Sequence, residues 1–482
     1  MKGMNVIVVM ADSFRKDHLG CYGNRWIKTP NIDKMASEGI LFDYAYAEGL
    51  PTIPVRTSLF TGRYTLPFQG SQPLEKDDLL LAELLWNKGY ISALISDTYH
   101  MHKPQRGFAH GFDYVEWIRG QEHDPYILDR DVESLLKKYS EKNWNIYYNS
   151  SEKPQIQRYL RDHRSSSLKE AFEIYLRNIS DWRGEEDHFI AQVVKAGISW
   201  LNKKISEGRR KNLFLWLDCF DPHEPWDPPS PYDEMYAVPE YDGLPIILPP
   251  PGDASYLNLS ELRHVRAQYA GEVTLVDKWV GVFIEEVEKL GLFENTLIIF
   301  LSDHGEPLGE HGIIRKARPW PYEELSHIPL IMRFPDNLGI HGRRIKSFAG
   351  TPDIMPTILD FLEVEKPKTM HGRSLLPLIF EGERSGGQDF GISGWYNVSW
   401  SIRDHDWSFF LWLAPPQLPS ARRDNELYKA NMDFLPLEPS KYEPEKDLPE
   451  KENLIEGEPE VANYLKSKLE NFIERLRDQS SR

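Results

Sequence analysis

Three short runs of almost purely apolar residues constrain the fold of this chain more than any other feature of its sequence. They are NVIVVM at 5–10, LFLWL at 213–217 and LIIFL at 297–301. Continuous apolar runs of this length suit strands that are buried on both faces of a parallel sheet. Because amphipathic helical patterns separate such runs, we predict an α/β fold with a mixed, mainly parallel central sheet flanked by helices.

Polar side chains follow each of these runs within one or two residues. Asp12 and Ser13 follow the first run, Asp218 follows the second, and Asp303 and His304 follow the third beyond one serine. Open α/β sheets place their sites at the carboxyl ends of the strands, so we expect these side chains at one edge of the sheet. A carboxylate and an imidazole together suit a divalent transition metal. The structural alternative for Asp12 is a helix cap, and an isolated Asp-His pair is common.

A second motif, PTIPVRTSLFTGR at 51–63, combines a hydroxyl group, a helix start and a fixed positive charge. Pro54 can open a helix, because its missing N–H would have no partner in the first turn. Thr52 then lies just before the helix, where free backbone N–H groups and the helix dipole favour an anion. Arg56 carries a planar fork suited to tetrahedral oxyanions. The motif indicates attack on a phosphate or sulfate ester; the alternative is a capped helix after a Pro-rich loop.

The same stretch resembles the signature of the sulfatase family, within the alkaline phosphatase superfamily. That signature has Cys or Ser where this chain has Thr52. Its Pro and Arg stand at the same spacing as Pro54 and Arg56 here. In typical sulfatases the Cys or Ser is oxidised to formylglycine, whose hydrate attacks sulfur. Threonine cannot give that aldehyde, so the resemblance leaves direct attack by the Thr52 hydroxyl. The family also opens with an Asp pair, of which Asp12 matches the first member while Ser13 replaces the second.

The resemblance implies a site for one divalent metal ion. Its ligands would be Asp12, Thr52, Asp303 and His304. A ligand set with one His favours Mn²⁺, Zn²⁺ or Fe²⁺, although some family members use Ca²⁺. A second metal, as in phosphodiesterases of this superfamily, stays open, and Asp218, Asp221 and His223 could contribute to it.

Further residues are implied by the resemblance to act on the substrate. The residues implied in catalysis are Thr52, Arg56, His100, His223 and Lys316, and those implied in substrate binding are Thr98 and Tyr99. The cationic groups would neutralise the non-bridging oxygens, and His100 or His223 could protonate the leaving oxygen. Thr98 stands where many sulfatases carry a Lys. The alternatives are a packed surface His for His100 and a His in a rigid Pro-rich turn for His223.

The resemblance covers nearly the whole chain and implies two domains. The first, 1–385, would be the catalytic domain, with a polar and largely helical insertion at about 128–186. The second, 386–482, would be a small α+β subdomain with an antiparallel sheet. Two of its strands are predicted at 400–403 and 407–413, and its closing amphipathic helix is predicted at 460–477.

Charge and composition narrow the class of partner. The 482 residues carry a formal net charge of −17, so we expect no nucleic-acid binding, and an anionic substrate must meet a local cluster of positive groups. The two cysteines form no disulfide framework. We see no apolar run of transmembrane length and no signal-peptide pattern, so a cytoplasmic protein with no membrane association is expected. The expected partner is a small anionic ester; the sequence leaves a homo-oligomer open.

Three hypotheses about function follow. The first is a metal-dependent hydrolase of phosphodiesters, phosphonates or related esters with Thr52 as the nucleophile. The second is a sulfate-ester hydrolase that uses Thr52 directly. The third is a catalytically silent family member kept as a binding protein, which the threonine favours and the retained ligand set disfavours. Acyl transfer is disfavoured, because no nucleophile-elbow pattern surrounds the threonine.

Overall fold

The computed structural model describes residues 3–121, 124, 174–316, 319–382, 385–413 and 424–480. Its strands are β1 (Asn5–Ala11), β2 (Ile40–Phe42), β3 (Ala45–Tyr46), β4 (Ile91–Ser96), β5 (Tyr114–Trp117), β6 (Leu213–Cys219), β7 (Gly252–Asp253), β8 (Thr296–Ser302), β9 (Ile313–Ile314), β10 (His327–Ile328), β11 (Leu330–Arg333), β12 (Arg343–Ile345), β13 (Ala349–Gly350), β14 (Gly391–Trp395), β15 (Ser399–Arg403), β16 (Trp407–Trp412) and β17 (Glu426–Lys429). Its main α-helices are α1 (Pro30–Glu38), α2 (Thr52–Thr61), α3 (Leu81–Trp86), α4 (Tyr99–His102), α5 (Phe189–Ser206), α6 (Tyr232–Met235), α7 (Leu259–Lys289), α8 (Glu323–Ser326), α9 (Ile354–Phe361), α10 (Leu376–Phe380) and α11 (Pro459–Ser480).

The central sheet has eight described strands, in the order β12-β2-β11-β8-β1-β6-β4-β5. Strand β11 pairs antiparallel with β8 and β2, and the other pairings are parallel. The three apolar runs of the sequence form its centre, with β1 lying between β8 and β6. The predicted mixed, mainly parallel sheet flanked by helices is confirmed.

The register of the three central strands sets the position of the site. Ala11, the last residue of β1, pairs with Cys219 of β6 and with Ser302 of β8. The next residue along β1 and the next along β8 are therefore Asp12 and Asp303, which leave the sheet at the same level. Parallel strands in register bring residues almost 300 positions apart in sequence to one edge.

Alternating side chains of β1 enter two different cores, one on each face of the sheet. Ile7 and Val9 pack with α5 and α7 on one face. Val6 and Val8 pack on the other face with α2, α3 and α9. Burial on both faces explains why the strand is a continuous apolar run without polar alternation.

The C-terminal residues form a four-stranded antiparallel sheet, β14-β15-β16-β17, with helix α11 packed on one face. This confirms the predicted antiparallel C-terminal sheet and closing helix. The division of the chain at 385 and 386 stays a prediction. Most of the predicted insertion at 128–186 lies outside the described residues.

No helix among the described residues combines the length and the apolar character needed to cross a bilayer.

Candidate active site

Four of the predicted residues come together at the carboxyl edge of the central sheet. His304 Nε2 lies 3.2 Å from Thr52 Oγ1, 3.5 Å from Asp303 Oδ2 and 3.8 Å from Asp12 Oδ1. Asp12, Asp303 and His304 are completely buried, and Thr52 is half-buried. In the part of the chain that the structure describes, Asp12, Asp303 and His304 form the one group of three acidic, His or Cys residues whose ligand atoms converge, all within 4.8 Å.

Hydrogen bonding fixes the tautomer of His304. Its Nδ1 lies 2.8 Å from the carbonyl oxygen of Gly305, and a carbonyl only accepts, so Nδ1 carries the proton. Burial lowers the pKa of His304 to about 4, so the ring is neutral at pH 7. The lone pair of Nε2 then faces two carboxylate oxygens. A cation between these atoms removes the repulsion, so the residues fit a divalent metal ion.

Helix α2 presents Thr52 to this cluster. The helix begins at Thr52, with Pro51 before it, whereas the sequence placed Thr52 outside the helix and Pro54 at its start. That expectation is wrong by two residues, because any of the first four N–H groups of a helix lacks an intrahelical partner and Pro54 is equally acceptable at the third position. The hydroxyl of Thr52 donates to His304 Nε2, which has only a lone pair to offer.

Ser13 links the carboxylates of Asp12 and Asp303. Its hydroxyl donates to Asp12 Oδ1 at 2.9 Å, and its backbone N–H donates to Asp303 Oδ1 at 3.0 Å. The residue adopts a left-handed conformation with a φ of 60°, and Tyr269 Oη donates to its carbonyl oxygen at 2.8 Å. At the position where the resemblance implies a second aspartate, this chain has a hydroxyl group that is bonded to Asp12.

Lys316 reaches the cluster through Ser13. Its Nζ donates to Ser13 Oγ and to Glu306 Oε2, each at 3.1 Å, and lies 3.7 Å from Glu224 Oε2. Burial alone would lower the pKa of Lys316, but the Glu224 and Glu306 carboxylates raise it. The ammonium group therefore stays charged beside the cluster at neutral pH.

Arg56 is surrounded by three buried carboxylates. Nε and Nη2 donate to Asp218 at 3.0 and 2.8 Å, Nη2 also donates to Asp12 Oδ2 at 3.0 Å, and Nη1 donates to Asp303 Oδ2 at 2.6 Å. A fifth contact, of 3.4 Å, joins Nη1 to the carbonyl oxygen of Thr52. These contacts use all five N–H groups of the guanidinium. Asp218 was noted in the sequence as a ligand for a second metal, and its pairing with Arg56 was missed.

The remaining predicted residues have defined positions and partners of their own. Thr98 donates from Oγ1 to Asp218 Oδ1 at 2.9 Å. Tyr99 and His100 follow on α4, where Tyr99 stacks on Trp117. His223 is buried, and its Nδ1 lies 2.7 Å from the carbonyl oxygen of Glu224.

The set suggested for a second metal does not converge within the described ranges. Asp218 pairs with Arg56, and Asp221 Oδ2 accepts from the backbone N–H of Ile190 at 3.0 Å. The acidic residue at position 17 binds two side chains in the segment after β1. Asp17 accepts from Arg15 Nη2 at 2.6 Å and lies 2.8 Å from His18 Nδ1.

Comparison with known proteins agrees with the fold. The model of the family described as Sulfatase matches residues 4–364. The chain is 27% identical over 482 residues to an arylsulfatase of Clostridium perfringens, covering 89% of this chain and 92% of that protein. It is 28% identical over 435 residues to the multifunctional alkaline phosphatase superfamily protein PehA of Trinickia caryophylli, covering 80% and 79%. Among solved structures, the phosphonate monoester hydrolase of Agrobacterium radiobacter has a TM-score of 0.70 at 22% identity, covering 99% of this chain and 96% of that one.

Proposed function

This chain belongs to the sulfatase family and is an ester hydrolase, and from that premise we propose that it hydrolyses phosphodiesters, phosphonate esters or related small anionic esters with Thr52 as the nucleophile. The observation that carries the proposal is the contact of 3.2 Å between Thr52 Oγ1 and His304 Nε2, beside the carboxylates of Asp12 and Asp303. A hydroxyl at this point lies at the start of helix α2, where the dipole favours an anion.

A divalent ion held by Asp12, Asp303 and His304 would supply the positive charge that lowers the pKa of the neighbouring hydroxyl group. The set of two carboxylates and one imidazole favours Mn²⁺, Zn²⁺ or Fe²⁺ over Ca²⁺, which prefers six or more oxygen ligands. The hydroxyl of Ser13 supports this preference, since it replaces a charged oxygen donor with a neutral group that is already bonded to Asp12.

In the proposed reaction, the Thr52 hydroxyl gives its proton to solvent water, and its oxygen attacks phosphorus. The bond from phosphorus to the leaving oxygen breaks, and His223 or His100 gives that oxygen a proton. Water then attacks the phosphorus of the Thr52 ester, which restores the hydroxyl and releases the acid product. We propose that Lys316 binds a non-bridging oxygen of the substrate. Its ammonium group has three N–H groups, and two of them are used in the hydrogen bonds of 3.1 Å to Ser13 and Glu306. Arg56 has no donor left for that task and is proposed to orient the carboxylates instead.

Threonine favours phosphorus over sulfur for a chemical reason. A formylglycine hydrate has a second hydroxyl group, so its sulfate ester can release sulfate by breaking the carbon–oxygen bond. An ester of Thr52 lacks that second hydroxyl group and cannot break down in this way. Water must instead attack the phosphorus or sulfur atom. We therefore propose that turnover of phosphodiesters and phosphonate esters exceeds turnover of sulfates.

A sulfate-ester hydrolase that uses Thr52 directly is the second candidate, and the likeness to the arylsulfatase favours it. A silent binding homologue is disfavoured, because such a protein has no need for the converging set of Asp12, Asp303 and His304 beside a hydroxyl.

The test compares bis(4-nitrophenyl) phosphate, an aryl phosphonate monoester and 4-nitrophenyl sulfate with protein loaded with Mn²⁺. We expect the two phosphorus esters to be preferred, and Thr52→Ala to lose about 10³-fold or more in kcat/KM, as for a covalent nucleophile. Thr52→Ser keeps the hydroxyl and is the matched control, with the intact mass of the protein measured to show that the serine has not been oxidised to formylglycine. Preference for the sulfate would establish the second candidate, and full activity in Thr52→Ala would overturn the nucleophile.

A further inference from the structure

We propose that Asp218, supported by Thr98, is a positioning residue that holds the guanidinium of Arg56 away from the metal ion and thereby sets the metal affinity of the site. This inference rests on the proposed function, because it takes Asp12, Asp303 and His304 as the metal ligands. It adds a residue from β6 to the machinery, which the family motif around Thr52 does not contain.

The contacts of Arg56 divide into two sets with different consequences. Asp218 receives two of its N–H groups, from Nε to Oδ2 and from Nη2 to Oδ1. Such a two-point contact between planar groups fixes both the position and the rotation of the guanidinium. The remaining N–H groups then fall on Asp12, Asp303 and the Thr52 carbonyl oxygen. Asp218 therefore decides how closely Arg56 approaches the metal carboxylates.

The charge of Asp218 should change how tightly the site binds a metal ion. Arg56 and its three carboxylate partners are completely buried. Arg56 and a divalent cation compete for Asp303 Oδ2, and Arg56 also holds Oδ2 of Asp12, whose Oδ1 faces His304. With Asp218 ionised, part of the charge of Arg56 is balanced elsewhere. Without that charge, Arg56 interacts more strongly with Asp12 and Asp303, and the metal ion must displace it from them.

Thr98 supports Asp218 from the neighbouring strand. It follows β4, whose residue Ser96 pairs in register with Asp218 of β6. The Thr98 hydroxyl donates to Asp218 Oδ1 at 2.9 Å, and the Thr98 backbone N–H donates to Ser96 Oγ, also at 2.9 Å. The Asp218 carboxylate thus accepts three hydrogen bonds and has little rotational freedom.

The experiment is a calorimetric titration of Mn²⁺ into metal-stripped full-length protein at pH 7. We expect Asp218→Asn to bind Mn²⁺ about 10- to 100-fold more weakly than wild type, the range seen when partners of metal ligands are changed. Thr98→Val should weaken binding in the same direction by less, and Thr98→Ser, which keeps the hydroxyl, should restore it. At saturating Mn²⁺ the loss in Asp218→Asn should fall on kcat and not on KM, because Asp218 and Arg56 are proposed not to touch substrate.

The matched control is Asp277→Asn. Asp277 is also a buried aspartate, but it accepts from the backbone N–H of Ile32 at the start of α1, away from the metal ligands. This variant should unfold more easily and bind Mn²⁺ as wild type does. If circular dichroism shows that Asp218→Asn does not fold, the Mn²⁺ affinity of Thr98→Val is the measurement that decides.

Two results have different meanings. Wild-type affinity for Mn²⁺ in a folded Asp218→Asn or Thr98→Val variant would overturn the positioning role of Asp218 while leaving the proposed function intact. A wild-type protein that binds no divalent ion would overturn the proposed function itself, and the positioning role with it.

Discussion

Replacing Ser13 with Ala isolates the hydroxyl group that links Asp12 to Lys316. The hydroxyl donates to Asp12 Oδ1 at 2.9 Å and accepts from Lys316 Nζ at 3.1 Å. Ala keeps the Cβ atom and therefore the same disfavoured backbone conformation, with a φ of 60°. The substitution leaves the backbone contact to Asp303 in place. Any change in activity then reports the hydroxyl alone.

The expected size of the effect follows from these contacts. A hydrogen bond to a charged group contributes about 1.5–3 kcal/mol. Lys316 keeps its bond to Glu306, so most of the loss falls on Asp12, which would have no hydrogen bond to orient Oδ1. A loss of about 2 kcal/mol in transition-state stabilisation corresponds to about 30-fold in kcat/KM.

The assay is the hydrolysis of bis(4-nitrophenyl) phosphate by wild type, Ser13→Ala and Ser13→Gly at saturating Mn²⁺. Gly lacks the hydroxyl too but adopts a positive φ without strain, so it should lose as much activity as Ala. Its free energy of unfolding should exceed that of the Ala variant by about 1 kcal/mol. A kcat/KM for Ser13→Ala within twofold of wild type would refute the role of the hydroxyl.

Other substitutions test the metal site and the surrounding structure. Asp303→Ala or Asp12→Ala should lose both bound metal and turnover; full metal occupancy by elemental analysis in either variant would rule out the ligand set. Burial alone would lower the pKa of His311, but the carboxylate of Glu324 raises it from 6.5 to about 9. The resulting advantage in Tm over His311→Gln should be full below about pH 6.5 and disappear as the pH rises through about 9, in thermal melts across that range. Asp277→Asn should lower the free energy of unfolding by about 1 kcal/mol in urea titrations, because the negative charge at the start of α1 is lost, with kcat unchanged.

The apolar runs of the sequence were sufficient to predict the central sheet. Residues 5–10, 213–217 and 297–301 can be buried on both faces only in the middle of a sheet, and the structure places β1, β6 and β8 there. Because parallel strands end at one edge, the convergence of Asp12, Asp303 and His304 could also be predicted. Strand character is a local property, and the helical patterns between the runs indicate parallel pairing, so the sequence alone predicts both.

The partners of each polar side chain were decided only by the tertiary structure. The pairing of Arg56 with Asp218 joins residues 162 positions apart, and it depends on the register of β6 against β1 and on the position of helix α2. The helix start at Thr52 and the left-handed conformation of Ser13 likewise depend on what surrounds them. A shift of one residue in strand register would exchange the side chains at the site for others. Residue types therefore set which chemistry is available, and packing selects which groups meet, since an ionic contact forms only where the backbone brings both partners within about 3 Å.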